Sequence, residues 1–184
     1  DLDTKLDFEL SISREIVGIC CEIQPYLATL VPEKREEITT EGGLDAIEHG
    51  MRLKETITRL KGEGVSNVAL FLDPDLDQID EAARLGATAI ELHTGDYANA
   101  LRVEKRVHIL DRMKKAAERA HQNGLIVHAG HGLDTENYPL FGSSVPHLKE
   151  VSIGFAIVAR AIFIGIRGAV EELNNIIASS PYTG

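Results

Sequence analysis

The chain has 184 residues, 43% of them hydrophobic, which is enough for one domain with its own core and excludes a disordered chain. A formal net charge of −10 disfavours contact with nucleic acid and excludes a general nucleic-acid binder, but leaves small phosphorylated ligands open. With five Phe, four Tyr and no Trp the core is aliphatic, as a buried parallel sheet requires.

Along the chain, short β-rich runs alternate with helical stretches. Residues 7–11 (DFELS) read as a strand, and Ser13 caps a helix to about Glu22. Residues 26–31 (YLATLV) form the second strand, ended by Pro32 and followed by a long polar loop to Gly43. Helix is expected over 44–61, stopped by Gly62 and Gly64. The third strand is 65–72 (VSNVALFL), after which Pro74 takes a first-turn position in a helix closed by Gly86. The fourth strand, 88–93 (TAIELH), leads into a loop, TGDYAN, and then a helix over 100–122. Residues 125–129 (LIVHA) and 150–154 (EVSIG) are the fifth and sixth strands, and an apolar helix runs over 156–178.

The adjacent Cys20 and Cys21 offer no disulfide framework, and the longest apolar run is interrupted by Arg160. A cytoplasmic protein without membrane contact is the expectation. The β-then-α rhythm, with no linker dividing it, predicts a single α/β domain with a parallel sheet, curled into a barrel or left open. Six such units fit in the chain, whereas a complete eight-unit barrel takes roughly 250 residues.

Strand alternation gathers the ionisable residues on one face. Asp7, Glu9 and Ser11 share a face of the first strand, Glu91 and His93 a face of the fourth, and His128 that of the fifth. His131 follows between Gly130 and Gly132. Carboxylates and histidines near the carboxyl ends of parallel strands point to acid–base chemistry. His93 reads equally as a hydrogen-bonded core histidine, and Glu9 and Glu91 equally as structural acids. His49, His108, His121 and His147 read as solvated. Glu91, His93, His128 and His131 include metal-ligand types, but their spacing matches no familiar zinc pattern, so no metal is expected. Glycines 130, 132 and 154, at consecutive strand ends, suit the phosphate site common in βα-barrels. Lys34, Arg35, Thr39, Thr40, Gly42 and Gly43 in the long loop are further candidates, and the loop's length suits a mobile lid.

Five segments carry a resemblance. LVPEKREEITTEGGLD (30–45) is similar to the long signature loop of the pyridoxine 5′-phosphate synthase family. IELHTGDYA (90–98), HAGHGL (128–133) and SIGFAIVARAI (152–162) resemble three further family motifs, in the family's order. LDTKLDFELS (2–11) resembles its third-strand region, so the first two βα units of the family have no counterpart here. The resemblance implies a (β/α)8 TIM-barrel-type fold, N-terminally incomplete over 1–184, and a homo-oligomer with no cofactor. The implied reaction condenses 1-deoxy-D-xylulose 5-phosphate with 3-amino-2-oxopropyl phosphate to pyridoxine 5′-phosphate, phosphate and water. It implies Glu9 as general base, Glu91 as stabiliser of charged intermediates and His131 as general acid. Thr39 would contact the phosphosugar, while the backbones of Gly132, Gly154 and Phe155 would hold the aminoketone phosphate.

Phe155 stands where the family usually has histidine, and His128 where it usually has asparagine. These departures leave a catalytically silent phosphosugar-binding paralogue as a second reading. Another phosphate-binding barrel enzyme is a third, but a Schiff-base aldolase needs an inner-face lysine, and none of the six predicted strands contains one.

Overall fold

The computed structural model describes residues 3–32 and 42–182. Its centre is one parallel sheet of six strands in chain order, β1 to β6. They are β1 (Asp7–Leu10), β2 (Leu27–Leu30), β3 (Val68–Leu72), β4 (Ala89–His93), β5 (Ile126–Gly130) and β6 (Leu148–Ser152). Each crossover between successive strands carries helix: α1 (Arg14–Ile23), α2 (Gly50–Gly62), α3 (Leu76–Leu85), α4 with α5 (Gly95–Ala98 and Val103–Gln122) and α6 (Tyr138–Ser144). The last helix, α7 (Phe155–Ala178), follows β6. The sheet is curled like part of a βα-barrel, the one of the two arrangements left open by the strand and helix rhythm that the family resemblance implies.

The two sheet faces differ chemically because side chains alternate along each strand. Leu10, Ala28, Leu30, Val68, Leu70, Leu72, Ile90, Leu92, Val127 and Ala129 face the helices and join one large core cluster. The opposite, concave face holds a small apolar patch, Leu27, Ala69 and Ala89, beneath the polar residues. Helix faces complete the main core: Leu53, Ile57 and Leu60 from α2, Ile79 and Leu85 from α3, and Met113, Ala116, Ala117 and Ala120 from α5 are buried. Burying a Leu or Ile contributes about 1.5–3 kcal/mol, so this layer carries most of the driving force.

Several boundaries differ from the expected ones for local reasons. The second helix begins at Gly50, after a turn over 46–49, and the third strand begins at Val68. Pro74 lies outside α3, because Asp75 takes the N-cap and its Oδ1 accepts from the N–H groups of Asp77 and Gln78 at 2.9 and 3.2 Å. Gly86 ends α3 with φ 89°, as expected of a left-handed cap. The expected TGDYAN loop contains the short helix α4, and α5 starts at Val103. Helix α6 was not expected at all: its seven residues are too few to show a helical period. Strand β6 starts at Leu148, two residues early, and so includes Lys149. This corrects the expectation that no strand contains a lysine. Lys149 is exposed and alternates with Glu150, whose register partner is His128 on the concave face, so alternation turns Lys149 the other way.

Candidate active site

The concave face presents Asp7 and Glu9 from β1, Thr29 from β2, Phe71 from β3 and Glu91 and His93 from β4. It continues with His128 and Gly130 from β5 and Glu150 and Ser152 from β6. Strand register sets Glu9 beside Thr29, Phe71 beside Glu91, Glu91 beside His128, and His128 beside Glu150. A band of carboxylates and imidazoles therefore crosses adjacent strands toward their carboxyl ends, the usual place for chemistry in this architecture.

Glu91 is only 1% exposed and its Oε1 has no hydrogen-bond partner. Burial, with the negative charges of Glu9 and Asp7, pushes its carboxyl up to about 8. The strand opposite is shaped around it, since a Cβ on Gly130 would overlap Glu91 Oε1. Asp7 is raised to about 6, chiefly by desolvation of its carboxyl, although Thr29 Oγ1 donates to its Oδ1 at 2.8 Å. Glu9, like Asp7 and unlike Glu91, is exposed to solvent on the same face. The two glutamates thus sit in opposite environments: one favours the protonated form, while the other is open to solvent and incoming ligands.

His131 sits just beyond β5 with φ 80°, a left-handed conformation that costs a non-glycine residue about 1 kcal/mol. The turn is held from outside. Thr94 is fully buried, and its Oγ1 lies 2.5 Å from the carbonyl oxygens of both Gly130 and His131, to which it donates. Asn137 Nδ2 donates to Gly132 O at 2.9 Å, and Tyr97 Oη donates to Asn137 O at 2.7 Å. The His131 ring packs at 4.5 Å from Phe71 and 5.5 Å from His93. Thr94, Asn137 and Tyr97 were missed in the sequence reading, because only tertiary contact joins them to the turn.

His128 is 7% exposed, and burial lowers its pKa, against the opposing pull of Glu150. The imidazole is therefore neutral near neutral pH. His93 is 4% exposed, with Nδ1 at 2.9 Å from Asp73 Oδ1. Asp73 was not a sequence candidate. Its signal was position, immediately after β3 and beside the end of β4. Of the histidines read as solvated, His121 and His147 stack on each other at 3.8 Å.

Three candidates surround the next two strand ends. Gly130 pairs with Ser152, so Gly132 and Gly154 lie two residues past neighbouring positions. Gly132 has φ 76°, and a Cβ there would stand 2.7 Å from that of Ala98. Gly154 is the N-cap of α7, and a Cβ on it would meet nothing within 4 Å. Phe155 opens the helix with its side chain 90% exposed. The first-turn N–H groups there have no intrahelical partner and carry the positive end of the helix dipole, which suits a phosphate. Thr39, Lys34, Arg35, Thr40 and most of the expected lid lie outside the described residues.

Residues 1–179 match the family described as pyridoxal phosphate biosynthesis protein PdxJ. The chain belongs to the PdxJ family. A pyridoxine 5′-phosphate synthase of Salinibacter ruber is 52% identical over 176 residues, covering 96% of this chain and 72% of that protein. That of Magnetococcus marinus is 43% identical over 180 residues, covering 98% and 73%. That of Akkermansia muciniphila is 46% identical over 172 residues, covering 94% and 69%. Among solved structures, a xylose isomerase domain protein from Planctomyces limnophilus aligns with TM-score 0.55 at 10% identity, over 97% of this chain and 72% of that one. A GMP reductase from Trypanosoma brucei aligns with TM-score 0.53 at 13% identity, over 79% and 31%. At such identities the structural likeness speaks for the fold alone, a curled parallel sheet of the TIM-barrel kind. Among the described residues, no helix of this PdxJ chain is long and apolar enough to cross a membrane.

Proposed function

We propose that the chain is a pyridoxine 5′-phosphate synthase, which condenses 1-deoxy-D-xylulose 5-phosphate with 3-amino-2-oxopropyl phosphate to pyridoxine 5′-phosphate, phosphate and water. The observation that carries the reading is two unlike carboxyls on one face: buried Glu91, raised to about 8, and exposed Glu9, close enough for its charge to act on Glu91. Imine formation, dehydration and ring closure each move a proton, and such a pair divides the work. Glu9 takes the role of general base, open to the substrate. His131, on its rigid turn, is the general acid. Glu91 stands protonated at rest. A cationic intermediate arriving beside it lowers its pKa, and its proton passes to solvent, so a carboxylate forms where positive charge develops. The backbones of Gly132, Gly154 and Phe155 hold the aminoketone phosphate, and Thr39 contacts the phosphosugar. The chain acts without a cofactor in the cytoplasm, as one domain, in an oligomer of its own copies.

The test is to incubate the protein with both phosphorylated substrates and to follow pyridoxine 5′-phosphate by its ultraviolet absorbance. Product is expected, with Glu9→Gln or His131→Asn lowering kcat by about 10²- to 10⁴-fold. Phe155 favours the second reading, a silent phosphosugar-binding paralogue, because it offers the phosphate a backbone N–H but no imidazole. Tight phosphosugar binding without any product would select that reading and overturn the first.

A further inference from the structure

The proposed mechanism uses Glu91 but leaves unexplained its neighbour on the same face of β4. His93 is 4% exposed, and its Nε2 is buried with no hydrogen-bond partner. A core histidine with a purely structural role satisfies both ring nitrogens, because an unpaired buried polar atom is costly. His93 satisfies only one: Nδ1 lies 2.9 Å from Asp73 Oδ1.

Everything around the ring holds it in that pose. Phe71 packs at 5.1 Å between ring centroids, and His131 stands edge-on at 5.5 Å. Asp73 also accepts from the backbone N–H of Gly43, so the carboxylate is braced from a second side. On the Nε2 side the chain has a glycine. A Cβ on Gly95 would lie 2.6 Å from Nε2, so any other residue there would press on that atom and push the ring out of this pose.

We propose that His93 is a further catalytic residue of the synthase site, with Nε2 accepting a proton from a hydroxyl or amino group of the bound phosphorylated substrate and Asp73 as its positioning residue. The inference rests on the synthase reading given above. The Asp73 carboxylate holds the proton on Nδ1, which leaves the Nε2 lone pair as the acceptor. When substrate O–H or N–H gives up its proton, the electron pair stays on the substrate heteroatom. The proton becomes Nε2–H, and the imidazolium formed is paired with Asp73. Besides Asp73, the charged or titratable groups near the ring are Glu91 on its own strand and His131 after β5, while Arg112 of α5 acts by charge on Asp73. The arrangement couples two strand ends to one reacting proton.

The experiment uses the full chain with ring-¹⁵N histidine. In the free protein, His93 is expected as the Nδ1–H tautomer, and Asp73→Asn is expected to shift it to Nε2–H. Adding 1-deoxy-D-xylulose 5-phosphate should move the Nε2 resonance and leave Nδ1 nearly in place. In the turnover assay, His93→Gln should lower kcat by about 10²-fold or more. Asp73→Asn should lower kcat with little change in KM and shift the acidic limb of the pH profile, while Asp73→Glu restores part of the rate. If the parent makes product and His93→Gln keeps kcat within about twofold, this inference falls and the synthase reading stands. If the parent makes no product, the synthase reading falls, and the tautomer and ligand shift decide about His93 alone. An Nε2 resonance unmoved by the phosphosugar overturns the proposal in either case.

Discussion

Glu91 sets the pH response of the folded state. Its carboxyl is raised from 4.5 to about 8, so between those values the folded chain keeps a proton that the unfolded chain has lost. Stability from this group is therefore highest at low pH and falls as pH rises through the window. Asp7, raised from 3.8 to about 6, acts in the same direction at lower pH. His128 acts oppositely: its lowered pKa means the unfolded chain takes up protons first below 6.5, so stability is lost as pH falls there. Glu91→Gln is expected to stabilise the protein at pH 9 by on the order of 5 kcal/mol and to change little near pH 4. Urea unfolding at the two pH values checks this, and equal gains at both would refute it. Gly130→Ala is a second residue-level test. The added methyl meets Glu91 Oε1, so a loss of about 1–3 kcal/mol is expected together with reduced turnover. An unaltered melting curve would show that Glu91 has room to move.

At the scale of elements, stability comes from the helix-facing side of the strands and from the caps between them. Leu70 is fully buried in the central strand β3, so Leu70→Ala is expected to cost about 2–5 kcal/mol. Asp75→Ala removes the α3 cap and is expected to cost about 1 kcal/mol, read as a small shift in urea midpoint. Neither residue touches the concave face, so folded variants should retain their kinetics. The sequence allowed the strands to be placed within a few residues, because runs such as VALFL are apolar, AIELH alternates aliphatic with ionisable residues, and turn residues bound them. Helix α4 and helix α6 were not legible. Four and seven residues give no periodicity, and both form because Tyr97, Tyr138 and Phe141 pack into the core.

At the scale of the whole molecule, the apolar surface is unevenly covered. In α7, Phe155, Ile162 and Phe163 are 90%, 81% and 80% exposed, and the helix kinks at Gly165 with φ 77° and ψ 157°. Strands β1 and β6 end the sheet, and they leave two edges unpaired among the described residues. A contiguous apolar face beside open edges promotes association. The chain is therefore expected to self-associate with rising concentration, and Ile162→Ser with Phe163→Ser to weaken that. Sedimentation velocity reads both. A monomer at all concentrations would count against the oligomer proposed above.

Several properties were determined by the sequence alone. The alternation of short apolar strands with helices implied a parallel α/β sheet, and residue parity placed Glu9, Glu91, His93 and His128 on one face. Five ordered segments pointed to the family. Local sequence carries these because side-chain direction repeats every second residue in a strand. Tertiary structure alone decided which of those groups are buried, and hence how they ionise. It alone brought Asp73 to His93 across two strand ends, set Gly130 against Glu91, and tied the His131 turn to Thr94 and Asn137. Desolvation, charge proximity and close packing depend on distances between segments far apart in the chain, and a linear sequence does not contain those distances.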